Sequence, residues 1–401
     1  MRWAFLGPLV LLSACGARSS LPVGEESDGG ATGGAGGDGG GGGDVGGGGV
    51  GGVEQVALGG GHTCVRTVLG EVYCWGQNGS GQLGVMTIEG FSEVPVEVDL
   101  DARARLLAAG TYHTCAVLED DRLFCWGKNG DGQVGNGETS NALAPIEVSG
   151  IDGPVVDLSL GERHSCAVAV SGRLYCWGSN LLSQVGVPGG GVVTAPVIVD
   201  TKVGAVALGA FHTCYVQEGL VRCMGANDDG QCGVEGPDVV FPPMTPAGLE
   251  PVSLSRIVSG PGRHTCIESA GQIWCWGDND SGQLGLGFSS NREPPTPLPN
   301  PPAGEVRAIA PGTAHTCALY NDAPFCWGDN FSGQLGFPGP ATDFPIKVGL
   351  EKIIALDGGS VHTCAYASAT EIWCWGTNAF GQLGNGETSD VPSAPVKVEL
   401  P

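Results

Sequence analysis

A stretch of 26 residues, Gly59 to Gly84, returns six more times along this 401-residue chain, and that periodicity constrains the fold more than any other feature. The first copy reads G-G-G-H-T-C-V-R-T-V-L-G-E-V-Y-C-W-G-Q-N-G-S-G-Q-L-G. Its histidine recurs as His62, His113, His164, His212, His264, His315 and His362, at intervals of 47 to 52 residues, and these are all the histidines present. Units of this kind cannot bury an apolar face alone and must stack on their neighbours. In the third unit Val155 to Leu160, Ser165 to Val170, Arg173 to Trp177 and an outer run Ala195 to Val199 are short, strand-like segments punctuated by glycine. No segment carries a useful helical period. Four short strands per unit and seven units predict an all-β, seven-bladed β-propeller with four-stranded antiparallel blades.

Cysteine spacing bears on the same unit. Cys64 and Cys74, Cys115 and Cys125, Cys166 and Cys176, Cys214 and Cys223, Cys266 and Cys275, Cys317 and Cys326, and Cys364 and Cys374 stand nine or ten apart. Placed opposite one another on a hairpin, nine leaves a two-residue loop such as Ala270-Gly271 and ten a three-residue loop. Opposed residues on antiparallel strands are close enough to bridge, so seven hairpin disulfides are expected. The competing reading is seven pairs of buried thiols. Zinc pairs stand closer in sequence than these. Of 16 cysteines, Cys15 and Cys232 remain.

The N-terminus reads as a processing segment. Arg2 precedes an apolar run, Trp3 to Leu12, too short for a permanent membrane span, and Leu12-Ser13-Ala14-Cys15 resembles the lipobox of bacterial lipoprotein signals. On that resemblance residues 1–14 are removed and Cys15 carries the lipid, whereas an ordinary cleaved signal would give a secreted protein. Gly16 stands where an aspartate would retain some lipoproteins at the inner membrane, so an outer-membrane anchor in the cell envelope is expected. Either route leads out of the cytoplasm, where disulfides persist. From Gly16 to Gly52 the chain is glycine-rich with Glu25, Glu26, Asp28, Asp38 and Asp44. It reads as a flexible tether reaching roughly 30 to 35 Å by random-coil scaling, which leaves residues 53–401 for the ring.

The units G-x-x-H-T-C-A…W-G-x-N-x-x-G-Q-L-G resemble those of the regulator-of-chromosome-condensation repeat family, as in Cys125-Trp126-Gly127-Lys128-Asn129 with Gly132-Gln133-Val134-Gly135, and Cys374-Trp375-Gly376-Thr377-Asn378 with Gly381-Gln382-Leu383-Gly384. The resemblance implies seven blades. The family's exchange activity on a small GTPase at chromatin is not expected of an exported chain. A net charge of -24 with 18 Lys and Arg also argues against nucleic acid as a partner.

Most repeated residues read as structural. The aromatics flanking each second cysteine (Tyr73 and Trp75, Trp274 and Trp276, Trp373 and Trp375) fall on the face opposite the sulfur and are expected against the next blade. Unit four departs, with Arg222-Cys223-Met224, and with Cys232 where other units have Leu or Val, read as a small buried hydrophobe. The histidines lie too far apart to share a metal, and each is expected to bond a turn. Asp278-Asn279-Asp280-Ser281-Gly282 resembles a calcium loop but lacks its twelfth-position acid. No cofactor or metal is expected. Glu162, Glu218, Glu268 and Asp322 are isolated, and no catalytic cluster breaks the repeat.

Three functions remain: a monomeric, non-catalytic scaffold binding a protein or glycan, an enzyme on an extracellular substrate, and a spacer of the envelope. For the first, non-repeating side chains just before the histidines (Tyr112, Arg163, Phe211 and Arg263) are expected to line one mouth of the ring and anchor the partner. Insertions bearing Phe241, Met244, Phe288 and Arg292 form a second set. Because a P-x-x-V-like segment precedes every unit but the first, the surplus Pro395-Val396-Lys397-Val398 is expected to close the ring by supplying blade 1 with a strand.

Overall fold

Residues 52–88, 90–249, 254–368 and 370–401 are described by a computed structural model. Cys15 and all but the last residue of the glycine-rich tether lie outside them. The described residues form seven four-stranded antiparallel sheets, each built from four consecutive strands. Blade 1 comprises Val53–Leu58, His62–Thr67, Val72–Gln77 and Phe91–Glu97. Blade 7 comprises Ala355–Gly358, His362–Ser368, Glu371–Asn378 and Ser389–Val398. In every blade the first strand lies innermost, so first-to-second and third-to-fourth loops share one face of the ring. The second-to-third hairpin tips lie on the other.

This topology corrects the expected closure. Val396 pairs with Cys374 and Lys397 with Trp373, so the last segment is the outer strand of blade 7, while blade 1 has four strands of its own. The P-x-x-V segments end blades rather than begin them. The ring closes through the side-chain code used between all blades: Thr63 Oγ1 and Trp75 Nε1 both donate to Gln382 O at 2.9 Å. The Tyr366 hydroxyl adds a bond to Glu54 O at 2.8 Å.

The second and third strands register the cysteines directly opposite one another, as in Cys64 with Cys74 and Cys266 with Cys275. Disulfides join all seven pairs, with Cα separations of 4.1 to 4.2 Å. Cys232 is free and buried, its thiol pushed well above the usual range by burial.

On the other face of the third strand the tryptophans do not reach the next blade. They reach back to the preceding one. Trp126 donates to Gln82 O, Trp177 to Gln133 O, and Trp375 to Gln334 O, each at 2.9 Å. The last glycine of G-Q-L-G is the floor of that contact. At Gly135, where φ is 85°, a Cβ would stand 2.6 Å from Trp177 Nε1. Gly135→Ala combines left-handed strain with a displaced buried indole and is expected to cost about 2 to 4 kcal/mol. Gly130, whose Cβ would meet nothing within 4 Å, is the control, and Gly130→Ala should leave the urea midpoint nearly unmoved. In blade 4 Met224 takes the tryptophan's place against Gly186.

Loops of the motif face are stapled from within. The asparagine of W-G-x-N accepts a bond from the backbone N–H five residues on, as Asn78 Oδ1 does from Leu83 at 3.0 Å and Asn330 Oδ1 from Leu335 at 3.1 Å. The following glutamine caps an N–H two residues back, as Gln82 Oε1 does for Ser80 at 2.9 Å.

Candidate functional site

Each of the seven histidines opens the second strand of its blade and is fully buried. Their partner is not a turn but a hydroxyl of the following blade. His62 Nε2 meets Thr114 Oγ1 at 2.9 Å, His113 meets Ser165 at 2.8 Å, and the series runs round the ring until His362 meets Thr63 at 2.9 Å. Thr114 in turn donates to Gln82 O at 2.9 Å, and Ser165 to Gln133 O at 2.8 Å. A hydroxyl that donates to a carbonyl must accept from the imidazole, which assigns the Nε2–H tautomer to the six histidines whose partners do so. Thr265, the partner of His212, meets Ser259 Oγ at 2.8 Å instead. Nδ1 has no protein partner. Burial pushes each imidazole's pKa down to about 3, so all seven are neutral at pH 7.

The axis is nearly filled. A cavity of about 20 Å³ remains between Leu58, Ala109, Leu160, Val258, Ile309 and Leu356, space for little more than one water. Asp357 also lines it and bridges the seam, accepting Leu58 N–H at 2.8 Å and Gly358 N–H at 2.9 Å. Burial pushes its carboxyl up to about 7, against the pull of those two donors.

The side chains preceding the histidines line the motif face as Gly61, Tyr112, Arg163, Phe211, Arg263, Ala314 and Val361. Tyr112 and Phe211 are half-buried. Lys128 Nζ lies 4.8 Å from the centre of the Tyr112 ring. Arg163 is held by Glu162 at 3.1 Å and by Asp131 at 3.8 Å, and Arg263 by Asp229 at 2.6 Å. These carboxylates raise both guanidinium pKa values, their hydrogen bonds contributing most. Asp278 lies in this acidic rim, where burial raises its carboxyl and Asp280 and Asp229 add to the effect. The second set divides. Phe241 and Met244 lie on the outer strand of blade 4, and Arg292 on that of blade 5, where it donates to Val234 O at 3.2 Å.

The isolated acids stay apart. Glu162 is on the motif face beside Arg163, while Glu218 is at a hairpin tip of the opposite face, paired with Lys202 at 2.7 Å. Glu268 caps Gly271 N–H at 3.2 Å in blade 5, and Asp322 sits at the hairpin tip of blade 6.

The sequence profile of the RCC1-like domain matches residues 46–356, more than half the chain, and that of the regulator of chromosome condensation (RCC1) repeat matches residues 371–401. The chain belongs to the RCC1 repeat family. Among RCC1-family relatives, the regulator of chromosome condensation of Xenopus laevis is 30% identical over 312 residues, 71% of this chain and 73% of that protein. The ultraviolet-B receptor UVR8 of Arabidopsis thaliana is 29% identical over 309 residues, 74% and 70%. The human E3 ubiquitin-protein ligase HERC2 is 28% identical over 80% of this chain, which spans only 7% of that protein. Of solved structures, yeast RCC1 (Prp20) bound to Kap60 superposes with a TM-score of 0.75 at 22% identity, covering 82% of this chain and 84% of that one. Human WBSCR16 gives 0.74 at 24%, covering 82% and 94%. These last two likenesses concern the fold alone.

Proposed function

We propose that this RCC1-family propeller is a monomeric, exported, lipid-anchored scaffold that catalyses nothing and holds a protein or glycan through the motif face. The observation that carries the reading is the commitment of every histidine to the ring: the residues best suited to acid–base work are buried, neutral and bonded to hydroxyls. The residues before the histidines vary from blade to blade on the motif face, where Tyr112 and Phe211 offer apolar area at low entropic cost. Seven disulfides support export, since such bonds persist in oxidising compartments. The names of relatives fit a recognition role, as a receptor and a regulator stand among them.

Arg163 and Arg263 are assigned a positioning part, because their charge is already matched within the rim. In the double variant Tyr112→Ala with Phe211→Ala, affinity for a partner captured from the native envelope should fall at least about tenfold, with the melting temperature nearly unchanged. Unaltered affinity would exclude these anchors. Anchoring is tested separately: metabolic labelling with a fatty-acid analogue should tag the wild-type chain and not Cys15→Ser. A labelled Cys15→Ser chain would refute it.

A further inference from the structure

Two departures from the repeat meet on the axis of the ring. The last residue but one of the first strand is Ala57, Ala108, Ser159, Ala207, Val258 and Ala310 in blades 1 to 6, and Asp357 in blade 7. The second residue of the turn that follows is Gly60, Thr111, Glu162, Ala210, Pro261, Thr313 or Ser360. The hydroxyls among them are placed differently: Thr313 is exposed and Ser360 half-buried, whereas Thr111 is buried. Thr111 is also held from both sides, its N–H donating to Gly161 O at 3.2 Å and its carbonyl accepting from Gly60 N–H at 3.0 Å. Its hydroxyl finds no protein partner. Buried hydroxyls in native proteins are nearly always bonded, to water where not to protein.

Thr111 and Asp357 line the same axial cavity, one from blade 2 and the other from blade 7. Its volume of about 20 Å³ equals a sphere of about 1.7 Å radius, which is room for one water molecule. Leu160, Val258 and Ile309, all buried, form much of the apolar wall, and Asp357 is the one ionisable residue that lines it. Asp357 itself is half-buried. Each of its carboxylate oxygens accepts one backbone N–H, from Leu58 and from Gly358, and keeps a lone pair for a further donor. Cavities that stay empty are lined by apolar groups alone, and a carboxylate beside an unpartnered hydroxyl makes this one a site for water.

We infer that the axial cavity binds a single water molecule, which accepts from the Thr111 hydroxyl and donates to the Asp357 carboxylate, tying blade 2 to blade 7. This goes beyond the scaffold reading, because Tyr112, Arg163, Phe211 and Arg263 take no part in it.

The test uses crystals of the full-length chain grown at pH 8 and diffracting far enough to place waters. One water is expected within about 3.2 Å of both Thr111 Oγ1 and a carboxylate oxygen of Asp357. Thr111→Val keeps the side-chain shape and removes the hydroxyl, so it should lose that water, while Thr111→Ser should keep it. The carboxylate of the valine variant also loses a donor, and ¹³C titration of Asp357 is expected to move upward by at least about half a pH unit, with the serine variant unshifted. A dry cavity in the wild-type crystals, or a water out of reach of Thr111, would overturn the inference even if neither variant folds. So would a valine variant whose water and Asp357 titration match the wild type. An anomalous peak in the cavity after sodium is exchanged for rubidium would make the occupant a cation and overturn the water site.

Discussion

Lowering the pH from 7 to 5 is expected to destabilise the ring severely with its disulfides intact. Each histidine has a native pKa near 3 and an unfolded value near 6.5, so between those limits the unfolded chain binds more protons. Stability is therefore full above about pH 6.5 and falls as the pH drops toward 3. At pH 5 the linkage relation gives a loss of about 2 kcal/mol per histidine, or about 13 kcal/mol for seven acting together. Asp357 works in the opposite sense. Its native pKa of about 7 exceeds the unfolded value, so acidification over the same range returns about 2 kcal/mol. Seven outweigh one, and the sum is comparable to the whole stability of an ordinary domain. Six buried tryptophans, Trp75, Trp126, Trp177, Trp276, Trp327 and Trp375, report the transition by fluorescence. A ring still native at pH 4 would show that protonated imidazoles are tolerated inside it.

Reduction is expected to have an effect of similar size. A disulfide across nine or ten residues contributes at most about 2.5 to 3 kcal/mol in the chain-entropy model, so seven approach roughly 20 kcal/mol as an upper limit. The sulfurs are buried, and a mild reductant should act slowly on the native ring. Once unfolded in denaturant and reduced, the chain should fail to recover native tryptophan fluorescence on dilution, whereas the oxidised chain recovers it. Recovery by the fully reduced chain would show that interblade packing suffices alone.

Both effects rest on residues whose identity was plain in the sequence and whose partners were not. Cysteine pairing was legible because it is local: a hairpin fixes which residues face one another, and nine or ten residues suffice to count it out. The histidine partner lies one blade away, 48 to 53 residues on, and 299 residues apart at the seam. No short-range pattern reports a contact at that separation, although Thr or Ser directly follows every histidine. Pleat alternation puts Trp75 opposite the sulfur but says nothing about which neighbouring blade it meets. Closure runs otherwise than the repeat suggests because the P-x-x-V segment ends a blade, and a linear repeat does not mark where its unit begins. Of the candidate site, the mouth residues were legible as breaks in the repeat.

The central claim is that the seven histidines build the ring and do no chemistry on its surface. The most direct measurement is a long-range ¹H–¹⁵N correlation spectrum of the imidazole nitrogens in native protein, followed from pH 8 down to the onset of unfolding. Seven neutral Nε2–H rings whose shifts do not titrate while the protein remains folded are the expected result. A native imidazole titrating near pH 6.5, or one in the Nδ1–H form, would contradict the closed histidine–hydroxyl circuit and leave that ring free for acid–base work.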